Sequence, residues 1–254
     1  AARARIRAVA ITACLAALGL IGTAHADCGD PPERGVIWVQ CDLQGADLQG
    51  ADLRDAILTR SNLAGANLQG ARLGNVDFTF VNLEGADLAG ARANQARFLQ
   101  ANLRNANLRG AILRDAVLDR ADLRAANLEK VRASGARFSR ADLTDARLVE
   151  ADLDGADLSQ AELGAADLGD ARLDDANLQG AVLEDAVLTG ASLRGADLES
   201  ARLLFADLTG ADLRNAILIH AELADAVLDG ARLEGARWVD RRRCEPGSVG
   251  ECLR

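Results

Sequence analysis

The sequence predicts an all-β solenoid, a chain wound into short extended sides joined by corners, with its coils stacked on one another. Three observations carry that reading. From residue 41 to residue 240 a five-residue phrase, A-x-L-x-x, recurs forty times without insertion or deletion. Its third residue is Leu in 34 of the 40 units, and its first is Ala in 35. A period of five also fits neither common element. On a helix, at about 100° per residue, successive leucines would advance by about 140° and smear around the cylinder. On a flat strand they would alternate between faces. Both inward residues find one interior if each unit is a straight side followed by a corner. One unit cannot bury its own Leu, so coils must stack.

Residues 1–26 differ in kind from the rest. Arg3, Arg5 and Arg7 precede an apolar run over 8–23, followed by Ala24-His25-Ala26. That order of charge, apolar core and A-x-A predicts a secretory signal peptide cleaved after Ala26. The competing reading is a membrane anchor, but the run falls short of the ~20 residues a spanning helix needs. The sequence therefore predicts no stable membrane insertion after cleavage and a periplasmic or secreted protein. Loss of the three arginines takes the net charge from −9 to −12.

Residues 27–40 and 241–254 are predicted to be disulfide caps around the 41–240 solenoid. Cys28, Cys41, Cys244 and Cys252 form an even set in an exported chain, which reads as disulfides. Of three connectivities the two local ones are favoured, because one pair sits at the start of the solenoid and the other beyond its end. Spacings of thirteen and eight, with no His nearby in the mature chain, argue against zinc. Pro31, Pro32 and Pro246 all lie outside the repeats, as a continuous ladder requires.

Within the repeats, A46-D47-L48-Q49-G50, A86-D87-L88-A89-G90 and A196-D197-L198-E199-S200 resemble the A-[DN]-L-x-x signature of the pentapeptide repeat family. The resemblance covers all forty units. It implies a right-handed quadrilateral β-helix with four pentapeptides per coil and hence ten coils, the first over 41–60 and the last over 221–240. At ~4.8 Å between paired strands the rod would be about 45–50 Å long. The segments Gly35 to Cys41 and Trp238 to Cys252 also look like the ends of exported bacterial members of that family.

Four-fold registration is testable within the chain. The aromatic centres Phe78, Phe98, Phe138 and Trp238 differ by multiples of twenty, so all fall on the fourth face. The small centres Ala93 and Ala133 fall on the third face, one side before Phe98 and Phe138. A small centre beside a large one suits an interior of fixed cross-section. Phe78 has no such partner, since Leu73 precedes it. Asn62, Asn82 and Asn102 share one position in successive coils and predict a stacked amide ladder. Gly at the fifth position is uneven among the faces, which predicts corners of differing turn type.

Function is less legible. The sequence contains no nucleophile elbow, phosphate loop or zinc spacing. Its single mature histidine, His220, reads as a surface residue. A non-catalytic protein with no cofactor and no resident metal is expected. Outward charge is uneven: the first face carries ten acids against three bases and the second eight against three. The third carries nine of each and the fourth six of each. That balance argues against nucleic acid, whose phosphates require a basic surface.

Two candidate contacts follow. Asp122, Asp142 and Glu162 occupy one position in three successive coils, flanked by Asp145, Glu184 and Asp185 and continued by Glu150, Asp167 and Asp170 on the second face. They read either as a solvated face, as a docking surface for a basic protein partner, or as a weak calcium site, since hard oxygen ligands suit that ion. The fourth face carries outward apolar residues, among them Ile57, Phe80, Leu99, Ile217 and Ile219, with Phe205 one side away. Phe205, Ile217 and Ile219 are a candidate apolar contact with a partner or a second copy in a homodimer. The expected function is thus an exported interaction scaffold. The alternatives are a DNA-shaped acidic decoy that binds type II topoisomerase, as the resemblance implies for some family members, and a cation-binding envelope protein.

Overall fold

A computed structural model describes residues 28–253. The chain forms a right-handed quadrilateral β-helix with four sides per coil. The second residue of each unit pairs in parallel with the residue twenty positions on, from Ile37 with Ile57 to Ile217 with Arg237. Leu and Ala point inward along the rod and, except near its two ends, are almost entirely buried.

The repeat is explained by following its five backbone N–H groups. In a typical unit the third-position N–H reaches the next coil, as Leu43 N does to the Asn62 carbonyl at 2.7 Å. The fifth does the same, as Gly45 N to the Ala64 carbonyl at 2.9 Å, while the second reaches back, as Asn62 N to the Cys41 carbonyl at 2.8 Å. The first closes the corner, Ala46 N donating to the Leu43 carbonyl at 3.0 Å. The fourth is left over, and the second-position side chain takes it: Gln69 N donates to Asn67 Oδ1 at 3.1 Å and Thr79 N to Asp77 Oδ1 at 3.0 Å. Asp or Asn recurs at position two because a short side-chain acceptor there satisfies a donor the ladder cannot reach. The expected amide ladder is present: Asn102 Nδ2 donates to Asn82 Oδ1 at 2.9 Å, and Asn82 Nδ2 to Asn62 Oδ1 at 3.1 Å.

The corners do not differ in turn type, contrary to the expectation from glycine placement. Every fifth residue from Gly45 to Gly235 has positive φ, including Phe80, Ala125, Ala165 and Phe205. With the first-position N–H bonded three residues back, this is a type II turn at each corner. The cross-coil hydrogen bonds impose one geometry whether or not glycine is there.

The stacked core accounts for Phe78. Its ring lies on that of Phe98, with centroids 4.9 Å apart and planes 12° from parallel. The solenoid also starts one side before residue 41. Residues 36–40 form a fourth-face side, with Trp38 fully buried in the Leu position. Ser61, in an Ala position, is buried below it and bridges the joint: its Oγ donates to the Trp38 carbonyl at 2.6 Å and accepts from Cys41 N at 2.9 Å.

Both ends are stapled. Cys28 is bonded to Cys41, and Cys244 to Cys252. The C-terminal segment turns back and pairs antiparallel with the last coil, Arg243 with Arg237 and Val249 with Arg232. It caps the open edge of that coil's third and fourth sides. Leu223 and Leu228, on the other two faces of that coil, are only partly buried.

Candidate interaction surface

Position within the unit decides where each outward side chain sits. Second- and fourth-position residues lie on a face, and fifth-position residues lie at its corner. Asp145 and Asp185 occupy the corner between the first and second faces, and Glu150 and Asp170 the next corner. Asp167 lies on the second face between them, beside Val187, which is 38% exposed. In coils six to eight the second face therefore sets Val187 among carboxylates, its one cation being Arg147 of coil six, which is paired with Glu129.

The stack on the first face is less bare than its sequence suggests. Asp122, Asp142 and Glu162 are consecutive bridge partners, but Arg124 lies across the first two. It hydrogen-bonds Asp122 with two nitrogens and places its Nε 3.2 Å from Asp142. The hydrogen bond from Arg124 holds the Asp122 carboxyl below its usual range. Glu150 pairs with Lys130 at 3.4 Å, and Glu184 with Arg202. Asp145, Glu162, Asp167, Asp170 and Asp185 have no cationic partner among the described residues. Like charges stacked about 5 Å apart are unfavourable unless bridged, and Arg124 supplies the bridge.

The apolar trio is not one patch. Phe205 is 57% exposed at the corner between the first and second faces. Ile217 opens the fourth face, next to the diagonally opposite corner. Ile219 is buried, with 6% exposure, and offers little to a partner. A quadrilateral coil separates residues twelve positions apart by more than two sides, so their nearness in sequence did not make them neighbours. His220 is exposed, its Nε2 lying 3.1 Å from Arg241. Ala26 lies outside the described residues.

Sequence reasoning missed the most tightly bound carboxylate. Asp212 on the third face meets Arg194 at 2.8 Å, Arg214 at 2.7 Å and Arg232 at 3.4 Å. Burial pushes its carboxyl up, but hydrogen bonds from Arg214 and Arg194 outweigh that and hold it well below the usual range. The signal was present as arginines at neighbouring second and fourth positions, once the twenty-residue register is applied. Among the described residues no group of three or more His, Cys, Asp or Glu is arranged to hold a metal ion. No helix there is long and apolar enough to cross a membrane.

Among solved structures, the chain is similar to HetL of the cyanobacterium Nostoc sp. strain PCC 7120, a pentapeptide repeat protein involved in heterocyst differentiation regulation. The two are 36% identical over 83% of this chain and 90% of HetL, with a TM-score of 0.30. A pentapeptide repeat protein of the cyanobacterium Cyanothece 51142, Rfr23, is 38% identical over 38% of this chain and 58% of its own, with a TM-score of 0.29. QnrB1, a plasmid-mediated fluoroquinolone resistance protein, is 23% identical over 71% of this chain and 90% of its own, with a TM-score of 0.31. No curated protein matches the chain. The family model for pentapeptide repeats matches in eight copies over residues 41–79, 82–120, 121–160, 166–203 and 206–237. With most of its length so matched, this chain belongs to the pentapeptide repeat family.

Proposed function

We propose that the chain is an exported, non-catalytic scaffold that docks a basic protein partner on the second face of coils six to eight. The observation that carries this reading is the frame of unpaired carboxylates, Asp145, Asp167, Asp170 and Asp185, around the exposed Val187. An excess of negative charge around an apolar residue suits a partner with basic side chains at its rim. Such an arrangement sets specificity and speeds encounter more than it adds affinity.

Export is supported by the predicted signal peptide and by the two disulfides, which persist in oxidising compartments. A photocrosslinker placed at Val187 in intact cells tests the docking surface. It should capture a discrete partner, and Asp145→Lys with Asp167→Lys and Asp185→Lys should abolish capture. An unchanged crosslinking pattern in that variant would refute the surface. Mass measurement of the cellular protein tests export separately: an N-terminus at Asp27 with four oxidised cysteines is expected, and an intact leader with free thiols would overturn it.

A further inference from the structure

The third and fourth faces are neutral in total, but the neutrality conceals a split along the rod. Over coils two to five these faces carry eight arginines against three acids; over coils six to nine they carry eight acids against three arginines. The salt bridges remove some of these charges, and what remains is more ordered. Over coils two to nine, among the described residues, the arginines on these faces with no carboxylate at ion-pair distance fall two to a coil. They are Arg92 and Arg97 in coil three, Arg114 and Arg120 in coil four, and Arg132 and Arg140 in coil five. Asp77 and Asp115 stand without a cationic partner inside the arginine-rich half. Over coils six to nine the carboxylates with no cationic partner also fall two to a coil. They are Asp152 and Asp157 in coil six, Asp174 and Asp175 in coil seven, and Asp197 and Glu199 in coil eight. Over coils six to nine every arginine on these faces is already paired, Arg172 with Asp154, and Arg194 and Arg214 with Asp212.

We infer that two copies of this chain associate side by side and antiparallel through these faces. A two-fold axis in the contact plane, perpendicular to the rod and level with the boundary between coils five and six, sets coil three against coil eight, four against seven and five against six. That operation inverts coil order but preserves position within the unit. It brings Arg97 to the second copy's Asp197, both second residues of a fourth-face side. It brings Arg114 to Asp174, both fourth residues of a third-face side, and Arg132 to Asp152, both second residues of a third-face side. Each pair occurs twice by symmetry. The same axis sets the exposed Phe80 of coil two opposite coil nine, where Ile217 lies on the same face. A parallel pair would set like charge against like. A staggered parallel pair would match charges but leave an open, growing end, whereas the antiparallel pair closes. The acidic second face stays outward and free, so this inference does not depend on the docking reading above.

Charge exchange tests it on the disulfide-intact protein. At about 20 mM ionic strength, sedimentation should give a dimer that dissociates at about 0.5 M salt, where screening is short-ranged. Small-angle scattering should show a particle no longer than one rod. Arg97→Glu, Arg114→Glu and Arg132→Glu together should weaken self-association at least about tenfold, as should Asp152→Arg, Asp174→Arg and Asp197→Arg together. Mixing the two variants should restore the dimer, and so should combining all six changes in one chain. The fold already places Arg and Asp interchangeably at second positions, as in Arg132 and Asp152, and thermal melts verify that each variant stays folded. A wild-type protein that remains monomeric at low salt overturns the inference, even if it is retained on an acidic polymer. So does a mixture that stays monomeric, or a dimer twice the rod's length.

Discussion

Exchanging the volumes of Ala133 and Phe138 tests the idea that the solenoid interior has a fixed cross-section. Both residues are fully buried and occupy successive inward positions of one coil. Together they carry as many side-chain carbons as the two leucines that most coils place there. Phe138→Leu alone removes three carbons, about 0.8 kcal/mol each, and leaves a cavity, so a loss of about 2–3 kcal/mol is expected. Ala133→Leu alone overpacks the coil and should cost about 1–3 kcal/mol. If the pair shares one space, the double variant rebuilds the common leucine pair and should lose less than about 1.5 kcal/mol. The coupling would then be at least about 1.5 kcal/mol in favour of the double variant. Urea unfolding followed by far-ultraviolet circular dichroism gives all four stabilities, with the denaturant slope checked for loss of cooperativity along the rod. Losses that add within about 0.5 kcal/mol would show that the two sites relax separately and would refute the argument.

Ser61→Ala restores the consensus residue yet should destabilise the protein by about 1–3 kcal/mol, because it leaves Cys41 N–H and the Trp38 carbonyl without the buried hydroxyl; a neutral result by chemical denaturation would show that water replaces it. Gly65→Ala meets no atom within 4 Å, so its expected cost of about 1 kcal/mol is the left-handed backbone alone; a loss above about 3 kcal/mol would mean the corner is strained for another reason. Asp212→Asn should lower stability at pH 7 by about 1–3 kcal/mol. The Asp212 carboxyl is held below its unfolded value, so its contribution is complete above about pH 4 and fades as the pH falls further. The gap between wild type and variant should therefore narrow in melts at pH 3, and a gap independent of pH would exclude the carboxylate as its source.

What the sequence made legible, and what it did not, divides along the chain's own hydrogen bonding. The inward pattern was readable because Leu and Ala repeat without slippage, and Phe98 and Phe138 disclosed the four-fold register through the small residues beside them. The opening side at 36–40 was hidden because Val36 and Trp38 replace both consensus residues, although its cross-coil hydrogen bonds match those of any other side and only its corner bond is replaced, by the Ser61 hydroxyl. The uniform corner was hidden for a related reason. Phe80 and Ala125 are poor left-handed residues, yet each fifth-position N–H is bonded to the next coil, and that bond outweighs the residue's own preference. The unpaired charges needed two kinds of information together. Sequence gives the signs of Arg97 and Asp197, but only the twenty-residue coil shows which arginines Asp119, Asp154 and Asp212 have already neutralised. In this architecture the interior is one-dimensional and repeats with the sequence, so it can be read directly. The exterior is a cylinder on which neighbours lie eighteen to twenty-one residues apart, and its binding surfaces emerge only after the chain is wound.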